Sequence, residues 1–490
     1  MGGPRGLRSL HAYKYNTEQP PTEFYTFETT SAFYPAALEG AETKTVQDLC
    51  SSFPSHLMQR IQPVLKMGHG EDRQKRDAQL DSVSACFGPT ELLIFSDMDE
   101  VSVHGRHVMD IIANLPQAYF TDNPDFDNYT AMRELQKGGR LTAENDPTIG
   151  KNGWKLDKYK FLAEVERAWL LRPDRDWYVF YETDTYIFWD NMFRFLSMLD
   201  PQAPLYMGSP SPGQEYEDPY SKKTMLTWFA NGGPGFVLSR GAMEKLMSRK
   251  SSPAGQFTAP PLSLAWLDTL RRDCCGDSVL GWALWHAGIP LSGFFPMFNT
   301  YPAHAIPYTE RAWCQPALTV HKPNPSDMLE LWRWEHTHRQ LGRPLLYSDL
   351  YEFRSGNTRE VRQNWDNGNY DRLALGHDVF TDSLQSCTEA CEADAKCLQY
   401  MWHGEGMRKC VLMPFMNYGS PRSPTTETKN VTAPEVAKGE GATAGGVQWQ
   451  ITEEHWTFTS GWLTARIDQW RHEHTCETPD WVEPSVERYF

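Results

Sequence analysis

The run Trp177-Tyr178-Val179-Phe180-Tyr181 constrains the fold more than any other stretch of this chain. Five bulky residues, aromatic or β-branched and uncharged, read as a strand. The run stops at an acidic pair, Glu182 and Asp184, so polar groups begin where the strand ends. Leu92-Leu93-Ile94-Phe95 ends in the same way at Ser96-Asp97, and Val64-Leu65-Lys66-Met67 is a third short apolar run, stopping at Gly68. Between these runs, residues 77–85, 108–115 and 158–171 have helical spacing, the last closed by Pro173, while 122–152 is polar and reads as loop. Asp190 is placed to cap the next helix, which carries Phe193, Leu196 and Leu199 on one face. Further on, 278–287 and 326–339 read as helices and 317–320 as a strand. Strands alternating with helices predict an α/β layer fold with a mostly parallel central sheet.

A length of 490 residues exceeds one ordinary domain. Residues 1–55 read as an extended arm, 56–365 as the α/β domain, and 366–490 as a smaller unit and tail where cysteines cluster. Cys387, Cys391, Cys397 and Cys410 are separated by three, five and twelve residues. Such a cluster is a metal site or a disulfide framework. The spacing lacks the matched pairs of a zinc site, and an even total of 10 cysteines suits an oxidising compartment, which favours disulfides. Cys50 and Cys86 are expected to pair; Cys274, Cys275, Cys314 and Cys476 stay unassigned. Sequons at Asn128 and Asn430 point to the same compartment. Residues 421–446, rich in Ser, Thr, Pro and Gly, read as a mobile loop. Residues 1–21 lack a signal-peptide core, and there is no apolar run of about 20 residues to span a bilayer. The expectation is the Golgi lumen or another secretory compartment, with a membrane anchor upstream of this chain.

A formal charge of −16 excludes a phosphate-backbone partner, so no nucleic acid is expected. A nucleotide as a small ligand stays open, because a divalent metal supplies positive charge. Glu182 and Asp184, at i and i+2 of a strand end, point to one side, at the edge where ligands sit in open α/β sheets. Their oxygens suit Mn²⁺ or Mg²⁺. Taken alone, such a pair is more often a cap or a solvated turn. Likewise His321 alone reads as a structural histidine. Asp277 reads either as a general base or as a carboxylate stabilising a helix N-terminus.

Surrounding sequence adds a resemblance. The stretch from Asp176 to Tyr186 resembles the strand, acidic triplet and Thr-Tyr of glycosyltransferase family 31, the Fringe and core 1 β-1,3-galactosyltransferase-like family. Trp228 to Arg240 is similar to that family's Gly-rich segment, and Cys275 to Trp282 to its acidic segment. Thr319 to Lys322, with the helix that follows, resembles the histidine segment of core 1 enzymes, and Leu92 to Asp97 an early strand end. The resemblance implies a GT-A type fold and inverting, metal-dependent transfer from a UDP-sugar to a glycan or glycoprotein hydroxyl, with β-1,3 linkage. Carried over by position, it implies Asp184 and His321 as ligands to Mn²⁺ or Mg²⁺, with Glu182 in place of the first acid. Thr183 stands where the middle aspartate would be. Asp277 takes the place of the catalytic base, and Lys66, Gly68, Asp97, Thr183, Gly232 and Gly233 line the donor site. The alternative is a catalytically weakened, carbohydrate-binding relative, which Glu182-Thr183 in place of two aspartates favours. In the C-terminal unit, Ser386 to Tyr400 resembles the PAN/apple module, a small disulfide-stapled α+β fold. That resemblance implies Cys387–Cys410 and Cys391–Cys397 disulfides and a protein- or carbohydrate-binding role.

Overall fold

The computed structural model describes residues 37–150, 153–249, 257–340, 342–357, 360–368, 376–405, 408–431 and 450–488. The first thirteen strands are β1 (Ile61–Lys66), β2 (Leu93–Ser96), β3 (Glu100–Val103), β4 (Arg106–Asp110), β5 (Trp177–Glu182), β6 (Thr185–Ile187), β7 (Tyr206–Gly208), β8 (Pro210–Glu217), β9 (Thr224–Ala230), β10 (Phe236–Ser239), β11 (Leu291–Gly293), β12 (Phe298–Asn299) and β13 (Thr319–His321). Eight of them form one mostly parallel sheet in the order β11-β7-β10-β5-β1-β2-β4-β3. β5 lies in its interior, parallel to β1 and antiparallel to β10. Along β5, Trp177, Val179 and Tyr181 enter one apolar cluster while Tyr178 and Phe180 enter a second on the other face. A strand buried on both faces needs no polar alternation, which is why this run is continuously apolar. β8 and β9 form a separate hairpin, and β12-β13-β6 a small sheet.

From residue 361 onward comes an antiparallel sheet of Val361–Gln363, Gln450–Trp462, Gln399–Glu405, Lys409–Met413 and His377–Phe380. Helix Leu384–Ala393 lies against it, joined by the Cys387–Cys410 disulfide, and a Cys391–Cys397 disulfide ties the helix to the chain before the next strand. This sheet has small apolar clusters of its own, one including Tyr400 and Leu412 and one of Met401, Val411, Met413 and Phe415, and the segments around it also reach the first core. Leu398, Met416, Tyr418, Trp462, Ile467 and Val482 belong to the same apolar cluster as Trp177 and Tyr181. Cys314–Cys476 bridges the two regions, Trp313 Nε1 donates to the His474 carbonyl at 2.8 Å, and the Ser485 amide donates to the Gly293 carbonyl at 2.8 Å.

Several expectations are corrected. Residues 108–115 are not a helix: Val108 pairs with Ile94 in β4, followed by a short 3-10 turn at Ile112–Asn114. A short apolar run fits either period, and pairing with β2 decides it. The polar stretch 122–152 contains helix Asp127–Lys137, whose Tyr129 and Met132 are buried. Asp190 does not cap its helix, which begins at Trp189; its carboxylate instead lies 3.4 Å from Arg339 Nε. Of 421–446, Thr425–Val431 is a strand paired with Gln450–Trp462, and 432–449 lies outside the described residues. Residues 1–36 also lie outside them. The rest of the expected arm is not extended: Val46–Cys50 is a helix with a Thr45–Asp48 capping box, Leu49 is buried, and Cys50 is disulfide-bonded to Cys86. Among the described residues, no helix is long and apolar enough to cross a membrane.

Candidate active site

β5 ends at Glu182, Thr183 and Asp184 make the turn, and β6 begins at Thr185. Because β6 pairs with β13, Thr185 lies opposite His321. This long-range pairing brings His321 Nε2 to 3.4 Å from Asp184 Oδ1. Glu182, Asp184 and His321 each offer one ligand atom, all within 4.8 Å of one another. Gly233 makes room for the imidazole: a Cβ there would stand 2.1 Å from His321 Cε1. The Gly233 carbonyl accepts the Thr185 hydroxyl at 2.6 Å, fixing that approach. A Cβ on Gly232 would stand 2.7 Å from the Phe161 ring and 3.3 Å from Glu182 Oε1. Its amide donates to Asp277 Oδ2 at 2.9 Å, and the Ser278 amide donates to Oδ1 at 2.9 Å. The glycine segment therefore touches the acidic cluster on one side and Asp277 on the other.

The register of β1 against β5 sets Lys66 beside Glu182, Nζ to Oε1 3.0 Å. Lys66 also donates to Asp157 at 2.5 Å and lies 3.8 Å from the centroid of the Phe161 ring. Burial pulls the Lys66 ammonium down, but Asp157, Glu182 and Glu164 outweigh it and keep the lysine charged. Burial raises the Glu182 carboxyl, with Lys66 opposing. Burial would also raise Asp184, but its hydrogen bond and charge interaction with His321, helped by Lys75 and Lys322, bring it to about 2. Asp277 goes the other way. Burial pushes its carboxyl up, against the amides of Gly232 and Ser278. Asp97 is 1% exposed; Lys160 at 2.9 Å and the His69 amide at 2.9 Å overcome burial and hold it below the usual carboxylate range.

A cavity of about 200 Å³ opens beside the acidic turn, and the expected residues Lys66, Gly68, Asp97, Glu182 and Thr183 all line it. Gly232, Gly233, Asp184, His321 and Asp277 adjoin through the contacts above. Sequence reasoning missed Glu71, Trp154 and Lys160, which line the same cavity. Glu71 accepts the Thr183 hydroxyl at 2.5 Å and interacts electrostatically with Asp184, so a third carboxylate stands beside the triplet that lacks its middle acid. Nothing local marks Glu71. Lys160 did carry a signal: with Glu164 it lies on the buried face of helix Asp157–Leu171, where charged groups need partners. Cys274 and Cys275 form a disulfide with each other just before Asp277, so their sulfurs are not thiolate ligands. The sequon Asn128 lies in helix Asp127–Lys137, and Asn430 in strand Thr425–Val431. A larger cleft, about 1000 Å³, lies elsewhere, between Glu310, Arg311 and helix Thr464–Glu473.

The strand end, acidic turn and glycine segment thus form one connected site. Residues 111–271 match the Fringe-like family. The Fringe-like segment contains Glu182, Thr183, Asp184, Gly232 and Gly233; Lys66, Gly68 and Asp97 precede it, and Asp277 and His321 follow it. A Fringe-like match implies glycosyltransferase activity, hence a sugar donor and an acceptor. It ends before the C-terminal sheet and gives no evidence for a PAN/apple module. No curated protein matches the chain. Two carboxylates and an imidazole converging on one point fit Mn²⁺ or Mg²⁺ in chemistry and spacing.

Proposed function

We propose that this chain is an inverting, metal-dependent glycosyltransferase that moves a sugar from a UDP-sugar to a glycan or glycoprotein hydroxyl, in β-1,3 linkage. The observation that carries the reading is the Glu182–Asp184–His321 convergence at the carboxyl end of β5, inside or beside the Fringe-like segment. Asp184, His321 and Glu182 would hold the metal, which supplies positive charge for a departing diphosphate. Asp277 is the base. It accepts the proton of the acceptor hydroxyl as that oxygen bonds the anomeric carbon, while the bond to the diphosphate oxygen breaks on the opposite face and takes its electron pair. A carboxyl raised by burial is a stronger base than an ordinary aspartate, which suits this task. The Gly232 amide orients it. Lys66, Gly68, Asp97 and Thr183 support the donor side, where Lys66 and Lys160 carry positive charge into the cavity wall.

Calorimetry of UDP with and without Mn²⁺, followed by UDP release from a panel of UDP-sugars, tests the reading. UDP should bind more tightly with Mn²⁺; equal affinity in both conditions would reject metal-dependent transfer. The second reading, a weakened carbohydrate-binding relative, rests on Thr183 in the acidic triplet; the Glu71 carboxylate at its hydroxyl speaks against it. For the remainder of the chain, we propose a PAN/apple-like role for residues 366–490 on the strength of the two disulfides and the helix on an antiparallel sheet. Five disulfides support a Golgi or other secretory setting.

A further inference from the structure

Helix Gly276–His286 begins with the candidate base, Asp277, in its first turn and ends in a group of aromatic rings. Trp282 and Trp285 are stacked, centroids 5.0 Å apart and planes within 8°. His286 packs edge-on against both, at 4.4 and 5.0 Å, and Trp266 from the preceding segment lies 5.1 Å from His286. Tyr216 of the β8–β9 hairpin closes the other end, 4.4 Å from Trp285. Trp266, Trp282, Trp285 and Tyr216 are only partly buried and His286 is exposed, so these rings form a surface rather than a core.

The hairpin packs along the helix that carries this surface. On the hairpin face toward the helix, Gln214 donates to Asp273 at 2.6 Å and Tyr216 meets Trp285. From the facing strand, Phe229 covers Gly281, where a Cβ would stand 2.2 Å from Phe229 Cβ. Trp282 and Trp285 lie five and eight residues beyond Asp277, which is about 8 and 12 Å along the axis at the helical rise.

We propose that this aromatic ridge binds the distal part of an extended, neutral saccharide acceptor whose reacting end lies at Asp277. The inference rests on the transferase reading and deepens it: the acceptor is an oligosaccharide chain, not a lone sugar. Contiguous rings that each keep part of their surface open to solvent mark an interaction surface. A pyranose offers flat C–H faces to such rings and hydroxyls at its edges, whereas an anionic surface is disfavoured: Glu215, Glu217 and Asp218 flank Tyr216 on the hairpin, and the chain carries a formal charge of −16. Continuity along one rigid helix with the candidate base selects the acceptor over an unrelated partner.

The test is calorimetric titration of the full chain with neutral β-linked gluco- and galacto-oligosaccharides, from monosaccharide to hexasaccharide, alongside UDP titration in Mn²⁺. Affinity should rise with chain length by roughly tenfold or more for at least one series. W282A and W285L should lose that gain, and W285F, which keeps a flat ring, should retain most of it. UDP affinity and melting temperature should stay unaltered in all three variants, so loss of the gain in W285L with retention in W285F cannot be misfolding. No saccharide binding, no length dependence, or a gain that survives W285L overturns the ridge. Tight binding of phosphatidylcholine vesicles or self-association lost in W285L, without saccharide binding, also overturns it. Length-dependent binding in a chain whose UDP affinity ignores Mn²⁺ would uphold the saccharide surface and reject the transferase reading separately.

Discussion

Asp184 and Asp277 are partly buried carboxylates on opposite sides of the same glycine segment, and their surroundings drive them apart. Asp184 faces His321, Lys75 and Lys322, and stays ionised with its titration at about 2. Among the described residues no cation pairs directly with Asp277; burial raises it, against two backbone amides and the more distant charge of Lys66. Groups whose environments separate their proton affinities in this way divide labour. A carboxylate locked in its charged form suits a cation, and one poised to gain a proton suits a base. The difference shows that role is set by neighbours, since the side chains are identical.

The largest effect expected from breaking this contrast is at the base. Asp277→Asn keeps an oxygen for the Gly232 amide but cannot take a proton, so turnover should fall by roughly 10² to 10⁴ with UDP affinity and melting nearly unaltered. Near-normal turnover would remove Asp277 from the chemistry. Next, Asp184→Ala should abolish the gain in UDP affinity given by Mn²⁺, and His321→Ala should weaken metal response by about 10 to 100-fold; calorimetry reads both, and an unaltered response in both would reject the cluster as a metal site. Gly233→Ala is subtler. Its new Cβ collides with the His321 ring, so the imidazole must swing away, and Mn²⁺-dependent UDP binding should weaken by about tenfold without loss of the fold.

The smallest effects are those of pH: both aspartates lose their contribution in acid, Asp277 above the ordinary aspartate value and Asp184 below it. Protonating Asp277 removes the base, so kcat/KM should fall with acid, with a midpoint above the ordinary aspartate value of 3.8. A midpoint at or below that value would contradict the burial argument. Asp184 is lowered in the folded chain, so its contribution to stability is present above the unfolded value of 3.8 and is lost as pH falls through about 2. The stability gap between the chain and Asp184→Asn should therefore narrow as pH falls across that window, measured by denaturant unfolding.

Much of the layer fold was legible because strand runs such as 177–181 are apolar on both faces, and helix 158–171 repeats at helical spacing. Local ambiguity defeated the reading where a short run fits two periods, as at 108–115, or where polar surface hides a helix, as at Asp127–Lys137. The C-terminal boundary was drawn from composition, which tracks cysteine density. Across it, Met416, Tyr418 and Trp462 share an apolar cluster with the α/β layer, while Met401, Val411, Met413 and Phe415 form one of their own.

At the site, the sequence by itself determined the chemistry at the end of β5: an acidic turn after a buried strand, then glycines where side chains would collide. It also carried the proposed base at a helix start and the cysteines of the C-terminal staples. Tertiary structure brings His321 to Asp184 through the β6–β13 pairing, a contact that residue spacing alone did not give. It alone placed Glu71 at Thr183, paired Cys274 with Cys275, and gathered Tyr216, Trp266 and Trp285 into one ridge. The reason is physical. Strand ends, caps and periodicity are set by neighbours within a few residues, whereas these contacts depend on which elements pack together, and that is settled by the burial of the whole chain.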